Sequence, residues 1–422
     1  MARRRRGVNV TGSPAQCFPR LTISVIITDC QTGTQFLRGN TSTTTRVGAG
    51  GAGVDQTVVY LRFLVFPPTR GARRAPLDLA GRRAMSRPKI FDLVLFNHEH
   101  DMVPVRVREL GHVVDAIIFA QTAFTFSTGA PKATPFVAAI PGVPTEVASK
   151  VRRAIFNETP AACWTPRFSG NFYPPLKAAK TSSKLPWCIQ SAVRNMLGLL
   201  FTAAGGTDSD WAMISDADEI ADASSVAALR RSDPLMSGGV LVYGYRHHFK
   251  YTVRCEEVNT ITRGPIAVSG RVLRKLGAQR TRDGGSRSCL PVGHHGSCGR
   301  VRRRVEPSSS WQFSNFGGLS NLKYKLQTNS FAAKGSMLDD DNVLRRERSC
   351  RDHLERGRAF DFNRTQWDAS NLPRVPDVPA FVERELASGR MRHLVDMSAA
   401  PPPVDLVGAD APAVWMVRPT LS

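Results

Sequence analysis

Three carboxylates crowd into the four residues Asp216-Ala217-Asp218-Glu219. The apolar run Trp211-Ala212-Met213-Ile214-Ser215 leads straight into them, and predicts a strand over 210–214 that delivers the acidic motif at its C-terminal end. Open α/β sheets bind ligands at that end. Two aspartates at i and i+2, on an extended segment or across a tight turn, offer hard oxygen ligands to one divalent cation. Mn²⁺ or Mg²⁺ on Asp216 and Asp218 would keep room in its shell for phosphate. Such an ion offsets the charge that develops on a departing nucleoside diphosphate. The competing reading is structural: Asp218 or Asp222 accepts backbone N–H groups of a helix expected over 224–230.

Other residues add to this chemistry. Arg194 presents a guanidinium that matches diphosphate oxygens in pairs, or that pairs with a sheet-end carboxylate. Trp187 and Trp311 offer flat faces to a sugar or a base, although a large aromatic usually belongs to the core, and core is the preferred reading for both. Candidates for a general base are Glu219, Glu256, Glu257, His247 and His248. The run Arg246-His247-His248 reads as a strand end or the rim of an acceptor site. Cys289 and Cys298 flank His294 and His295, at a spacing that fits no standard zinc site.

The elements that must position these groups follow from periodicity. A buried strand is expected over 90–96, where only Asp92 breaks the apolar run. A helix over 101–110 places Val103, Val107 and Leu110 on one face, and a second strand follows over 113–120. Pro186 opens a helix over 186–201, with Ile189, Val193, Met196, Leu197 and Leu200 on its apolar side. A strand is expected over 240–245 and a helix over 319–331. Strands alternating with helices predict a layered α/β sheet. The domain is expected at 87–345, with a basic Gly/Ser/Arg loop over 278–309. A low-complexity basic tail (1–86), carrying an isolated strand over 58–66, and a charged, then Pro-rich tail with short helices (346–422) flank it.

Composition narrows the class. A chain of 422 residues with 42% apolar content can bury a substantial core. The net charge of +22 attracts polyanions, but the arginine runs lie mostly in the tail and the 278–309 loop, with no interleaved aromatic series of the kind that binds nucleic acid. A polyanion-binding protein is therefore the weakest reading, and nucleic acid is not the expected partner. Eight cysteines and no C-x-x-C pair are compatible with disulfides in an oxidising compartment. Sequons at Asn9, Asn40, Asn157 and Asn363 point the same way, weakly. No apolar run approaches the ~20 residues that span a bilayer, so membrane association has no visible anchor.

Several blocks, in order, carry a resemblance. They are Phe96-Asn97, Glu99-His100-Asp101, Arg106, Glu109-Leu110 and Val113-Val114-Asp115; then Thr125, Gly129 and Lys132; then Trp187, Arg194 and Asn195 at the spacing of a W-x-x-E-x-x-x-R-N helix. Ile214-Ser215-Asp216-Ala217-Asp218-Glu219-Ile220, Gly264-Pro265, and Ser314 with Gly317-Gly318 follow. Together they cover about 88–335 and resemble glycosyltransferase family 17, the β-1,4-mannosyl-glycoprotein 4-β-N-acetylglucosaminyltransferases. The resemblance implies a GT-A-like, Rossmann-type mixed sheet flanked by helices, with disordered N- and C-terminal tails. It implies an inverting transfer of N-acetylglucosamine from a UDP-sugar to a mannose of a glycoprotein N-glycan, assisted by Mn²⁺ or Mg²⁺, in the Golgi or secretory lumen. It implies substrate contacts at Asp216, Arg194, Asn195, Asp101, Trp187 and Trp311, metal ligands at Asp216 and Asp218, and a catalytic role for Glu219. Gln121 and Gln190 stand where the family carries Glu, and Gln312 and Ala333 where His is common. Glu to Gln keeps hydrogen bonding and removes any base function, so a catalytically impaired relative that binds a glycan or nucleotide is the second reading.

Overall fold

The computed structural model describes residues 21–28, 87–132, 143–156, 185–237, 239–257, 264–282, 289–292, 297–300, 302–328, 339–349, 362–364, 378–399 and 414–421. Its strands are β1 (Leu21–Thr28), β2 (Ile90–Leu95), β3 (Ala116–Thr122), β4 (Val151–Phe156), β5 (Trp211–Asp216), β6 (Glu219–Ala221), β7 (Gly239–Lys250), β8 (Thr252–Glu257), β9 (Ile266–Ser269), β10 (Cys289–Val292), β11 (Ser297–Arg300), β12 (Arg302–Ser314), β13 (Phe362–Arg364) and β14 (Val414–Leu421). Its helices are α1 (Met102–Leu110), α2 (Thr145–Ala148), α3 (Leu185–Ala203), α4 (Ala223–Ala228), α5 (Pro234–Ser237), α6 (Gly270–Leu276), α7 (Ala278–Arg282), α8 (Gly318–Thr328), α9 (Asp340–Ser349) and α10 (Ala380–Ala387).

One mixed sheet runs in the order β1-β14-β4-β3-β2-β5-β9-β7-β12-β6, with β8 and β13 joined on through β7. Strands β14, β4, β3, β2 and β5 are parallel. The direction reverses at β9, which is antiparallel to both β5 and β7. The chain moves from β2 outward to β3 and β4, then returns to place β5 on the other side of β2. β2 and β5 therefore flank a topological switch point, and the crevice at their C-terminal ends is the expected ligand site of such a sheet.

Alternation along the strands makes two layers of core. Phe91, Leu93 and Leu95 of β2 join Ile118 and Ala120 of β3 and the apolar side of α3, packed with Val272, Leu273 and Leu276 of α6. Ile90, Val94 and Phe96 face the opposite way, with Ile117 and Phe119, onto Val103, Val107 and Leu110 of α1. Central strands covered on both faces read as continuous apolar runs, and β2 does so because helices lie on both sides of it.

Asp92 is the exception inside that run, and it is fully buried. Its partner is Arg106 on α1, also fully buried: Arg106 Nε donates to Asp92 Oδ2 and Nη2 to Oδ1, each at 2.6 Å. The remaining donors of the guanidinium reach Ser215 Oγ, the Asp216 carbonyl at 3.2 Å and the Glu219 carbonyl at 2.7 Å. One buried cation thus ties β2 and α1 to both ends of the acidic turn.

The structure departs from the sequence reading in three places. Residues 278–309, expected as a basic loop, supply α7, the β10–β11 hairpin and most of β12. The Arg302-Arg303-Arg304 run gave no strand signal, yet it pairs with Gly239-Val240-Leu241 of β7; ladder pairing overrides weak local propensity here. Within the segment expected as a C-terminal tail, residues 378–399 pack into a third core cluster. Phe381, Val382, Leu386 and Leu394 meet Met102, Val105, Trp311 and Phe313 there. β14 of that same segment lies in the sheet beside β4, and β1 of the expected N-terminal tail pairs with β14. The strand expected over 58–66 lies outside the described residues.

Replacing Asp92 by Asn leaves Arg106 buried without a counter-charge. A buried pair broken on one side costs about 3–5 kcal/mol. Chemical or thermal denaturation of Asp92→Asn should show a loss of that order, against a change within ~0.5 kcal/mol for an exposed control such as Arg304→Ala.

Candidate active site at the acidic turn

β5 ends at Asp216, Ala217-Asp218 turn the chain, and β6 begins at Glu219. Four contacts hold this turn: the Arg106 guanidinium on its carbonyls, Ala217 N–H on the Leu95 carbonyl at 3.0 Å, Phe313 N–H on the Asp218 carbonyl at 2.8 Å, and Asp216 N–H on Glu219 Oε2 at 3.1 Å. The capping role belongs to Asp222, which accepts from Ser225 N–H at 3.0 Å and starts α4.

Three carboxylates point in different directions from this turn. Asp216 sits at the mouth, with a third of its side chain exposed. Arg194 Nη2 of α3 reaches its Oδ1 at 2.7 Å, and Arg282 Nη2 of α7 lies 3.4 Å from its Oδ2. Although burial opposes ionisation, these two guanidinium groups hold its carboxyl down at about 2. Asp218 is buried, and Lys325 of α8 lies 3.2 Å from its Oδ2. Burial pushes that carboxyl up to about 7, and the neighbouring charges of Glu99, Glu219 and Asp216 add to the effect against Lys325. Glu219 is buried and fully engaged, through Arg282 and the Tyr245 hydroxyl (2.7 Å) on Oε1 and through Asp216 N–H on Oε2.

A second group approaches from the end of β2. Glu99 Oε2 accepts from Asn97 N–H at 3.1 Å and His98 N–H at 3.0 Å, and its Oε1 lies 3.9 Å from Lys325 Nζ. Despite burial, charge from His98 and Lys325 holds Glu99 at about 2. Lys132 donates to Asn97 Oδ1 at 2.6 Å, and burial draws its ammonium down to about 7. Four carboxyl groups (Glu99, Asp216, Asp218, Glu219) thus face Arg194, Arg282 and Lys325, drawn from α3, α7 and α8, with Lys132 beside Glu99.

Not every residue singled out in the sequence arrives here. Arg194 does, on the carboxylate-pairing alternative, and its other nitrogen donates to Gln279 Oε1 at 2.6 Å. Asn195 turns to α7, where its Oδ1 accepts from Gln279 N–H at 3.0 Å. Asp101 lies at the start of α1 with His393 Nε2 3.4 Å away, in the third core cluster's neighbourhood. Trp311 is core, as preferred, with the Arg246 guanidinium 5.5 Å over its ring. Trp187 is the correction: it is 42% exposed on the first turn of α3. Its position on the helix lies outside the apolar stripe formed by Ile189, Val193, Met196, Leu197 and Leu200.

Among the base candidates, His248 Nε2 lies 2.9 Å from Ser314 Oγ and His247 stacks on Phe249. Glu256 and Glu257 occupy β8 beside β13, and their side chains are outside the described set. Of the family departures, Gln312 sits beside Glu219 across the β12–β6 ladder and its Oε1 finds no partner. Gln121 Oε1 is likewise buried without one, and Ala333 is outside the described residues.

The sequence reading missed Arg282, Lys325 and Tyr245. Arg282 lies in the basic run after 278, and Lys325 lies within the helix expected over 319–331, where a single lysine carries no local mark of burial. One signal was legible: Gly264-Pro265 had been singled out, and the Gly264 carbonyl accepts from Arg282 Nη1 at 3.2 Å. Only glycine fits there, since a Cβ would fall 1.8 Å from the Tyr243 carbonyl oxygen at a φ of +153°.

Cys188 and Cys255 are both disulfide-bonded. Among the described residues, no helix is long and apolar enough to cross a membrane, and no group of three or more His, Cys, Asp or Glu side chains is placed to hold a metal ion.

The Asp218 carboxyl gives a pH signature. Its value is raised on folding, so the native state holds a proton that the unfolded chain loses near 4. Asp218 therefore destabilises the fold progressively as pH rises from about 4 to about 7. Asp216 and Glu99, both lowered, stabilise the fold above about 4 and lose that contribution as pH falls toward 2. Asp218→Asn should flatten the decline between pH 4 and 7 while leaving the acid limb intact, measured by denaturant midpoints across pH.

The model of glycosyltransferase family 17 matches residues 77–256, a span that contains β2, α1, α3 and the whole acidic turn. No curated protein and no solved structure matches the chain. The order of blocks, the switch-point site and the family match agree: residues 77–256 of the chain are similar to glycosyltransferase family 17.

Proposed function

We propose that this glycosyltransferase moves N-acetylglucosamine, or a closely related sugar, from a UDP-sugar to a mannose of a glycoprotein N-glycan. The observation that carries the donor site is the convergence of Arg194, Arg282 and Lys325 on the acidic turn at the C-terminal ends of β2 and β5. Cations from three separate helices at a switch point suit a diphosphate, whose oxygens accept paired hydrogen bonds from guanidinium groups. The donor and acceptor identities rest on the family resemblance.

The charge balance favours one more positive charge when the donor is bound. With Asp218 ionised and Lys132 drawn by burial toward its neutral form, the four carboxyl groups leave an excess of negative charge, which would repel a diphosphate. A proton on Asp218 or a divalent ion removes that excess. Of the two expected metal ligands, Asp216 fits an incoming ion: it lies at the mouth, and a carboxylate has lone pairs beyond those used by Arg194 and Arg282. Asp218 fits less well, buried against Lys325. An Mn²⁺ or Mg²⁺ ion bound there supplies charge neutralisation for the leaving diphosphate. In this reading Glu219 keeps the turn and Arg282 in place, because all its oxygens are engaged. The disulfide-bonded Cys188 and Cys255 support a secretory or Golgi lumen.

Binding and hydrolysis of UDP-N-acetylglucosamine by the full chain, with and without Mn²⁺, test this. Arg282→Met should weaken donor binding at least tenfold and slow turnover, and Asp216→Asn should abolish any dependence on Mn²⁺. Unchanged donor affinity in both variants would sink the proposed donor site. Metal-dependent binding with no turnover, even with an N-glycan acceptor present, would favour the catalytically impaired relative suggested by Gln121, Gln190 and Gln312.

A further inference from the structure

Strand pairing brings a row of polar side chains together beside the acidic turn. Gln312 of β12 lies opposite Glu219 of β6 on one side and His248 of β7 on the other. Directly paired residues carry their side chains on the same face of a sheet, and Ser314, two residues on, shares that face with Gln312. β9 is antiparallel to both β5 and β7, and β12 is parallel to β7, so β7 and β12 run in the direction of β5. Their C-terminal ends therefore lie at the same edge of the sheet as Asp216. The row is also bonded to the turn, because Phe313 N–H, next to Gln312, donates to the Asp218 carbonyl at 2.8 Å.

The row is held at its ends and incomplete in its middle. Glu219 is engaged by Arg282, by the Tyr245 hydroxyl and by Asp216 N–H. His248 Nε2 lies 2.9 Å from Ser314 Oγ, and the Tyr245 and His248 rings sit 5.7 Å apart. Gln312 Nε2 donates to the same Ser314 Oγ at 3.2 Å. Gln312 Oε1 has no hydrogen-bond partner among the described residues, although the side chain is only 7% exposed. An unmade hydrogen bond inside a protein is a net cost, which an apolar side chain at this position would avoid. Such a cost is kept where a bound molecule completes the bond.

The chemistry of the unmet atom selects that molecule. In the orientation set by Ser314, the amide presents a carbonyl oxygen, which only accepts. It is unsuited to the diphosphate oxygens that match Arg194 and Arg282, and suited to an O–H or N–H. Ser314 and His248 are half-buried, so the row opens toward the edge of the sheet. A sugar ring held beyond the diphosphate brings hydroxyl groups, and an N-acetylated one also brings an amide N–H.

We propose that Gln312 is a specificity-determining residue whose amide takes a hydrogen bond from a hydroxyl or acetamido group of a sugar bound at the acidic turn. This rests on the glycosyltransferase reading of the site. It deepens that reading by assigning the residue that distinguishes a sugar-bearing ligand from the nucleotide alone. Donor and acceptor both carry such groups, and separate titrations tell which of them Gln312 meets.

The test uses the full chain with Mn²⁺ and two ligands that differ by the sugar alone, UDP and UDP-N-acetylglucosamine. An N-glycan oligosaccharide is titrated separately and followed by ligand-observed NMR. Gln312→Met keeps the volume of the side chain and removes the amide. If the donor sugar is the partner, this variant should bind UDP-N-acetylglucosamine about fivefold more weakly and UDP as before. If the acceptor sugar is the partner, the same loss should fall on the oligosaccharide instead. In either case the denaturation midpoint should hold or rise, because a buried polar group without a partner has been removed. Weaker sugar binding in an equally stable protein separates a ligand contact from a structural glutamine. Gln312→His, which keeps a polar group in place, should recover part of the loss. Equal weakening of UDP and UDP-N-acetylglucosamine would overturn the proposal, since a disturbed turn or a nucleobase contact affects both. So would unchanged affinity for all three ligands. A wild-type chain that binds neither UDP nor UDP-N-acetylglucosamine would count against the proposed function itself, and the oligosaccharide titration alone would then decide the role of Gln312.

Discussion

The Arg106–Asp92 pair is the constraint from which the site follows. A guanidinium and a carboxylate taken wholly out of water gain little net stability together, because desolvation cancels much of their attraction. What the pair secures is position. The guanidinium has five N–H donors in a rigid plane, and with two of them committed to Asp92, the others fall on Ser215 Oγ and the carbonyls of Asp216 and Glu219. The turn that carries three like charges is thereby fixed by a cation behind it, where no ligand can reach.

That arrangement divides the work among the carboxylates. Glu219 closes the turn from the inside, holding Asp216 N–H, Tyr245 and Arg282 together. Asp218 faces the Glu99–Lys325 group at the end of β2, and Asp216 alone looks outward. Placing Arg194, Arg282 and Lys325 on three different helices means that the spacing of positive charge depends on tertiary packing. Asn195 shows how: by accepting from Gln279 N–H it docks the start of α7 on α3, which sets the distance between the two arginines that flank Asp216.

The parts of this that could be read from the sequence share a physical reason. β2, α1, α3 and β5 announce themselves because each is a single period of apolar residues long enough to exceed background. The acidic turn was legible because a strand pattern ends exactly where charge begins. Asp92 was visible as an interruption, and Arg106 as a member of the resemblance, but nothing in their spacing says that one neutralises the other across the sheet. Arg282 and Lys325 were illegible for a different reason. A basic residue in a basic stretch carries no local mark of burial, and α7 and β12 owe their structure to partners more than thirty residues away. Trp187 misled because residue type alone favours the core, whereas its phase on α3 puts it outside the apolar stripe.

The third core cluster has a consequence for how the molecule is made. Met102 and Val105 belong to the first helix of the sheet domain, whereas Phe381, Val382, Leu386 and Leu394, which cover them, come from near the end of the chain. During synthesis roughly 270 residues must leave the ribosome between the two halves of that cluster, counted from residues 105 and 381. At typical elongation rates of about 5–20 residues per second, the face of α1 stays uncovered for something between ten seconds and a minute. The nascent chain thus presents a lasting apolar patch beside the growing sheet, and the segment carrying α10 acts as its lid. Until that segment joins α1, the patch is exposed apolar surface of the kind that promotes association between unfinished chains.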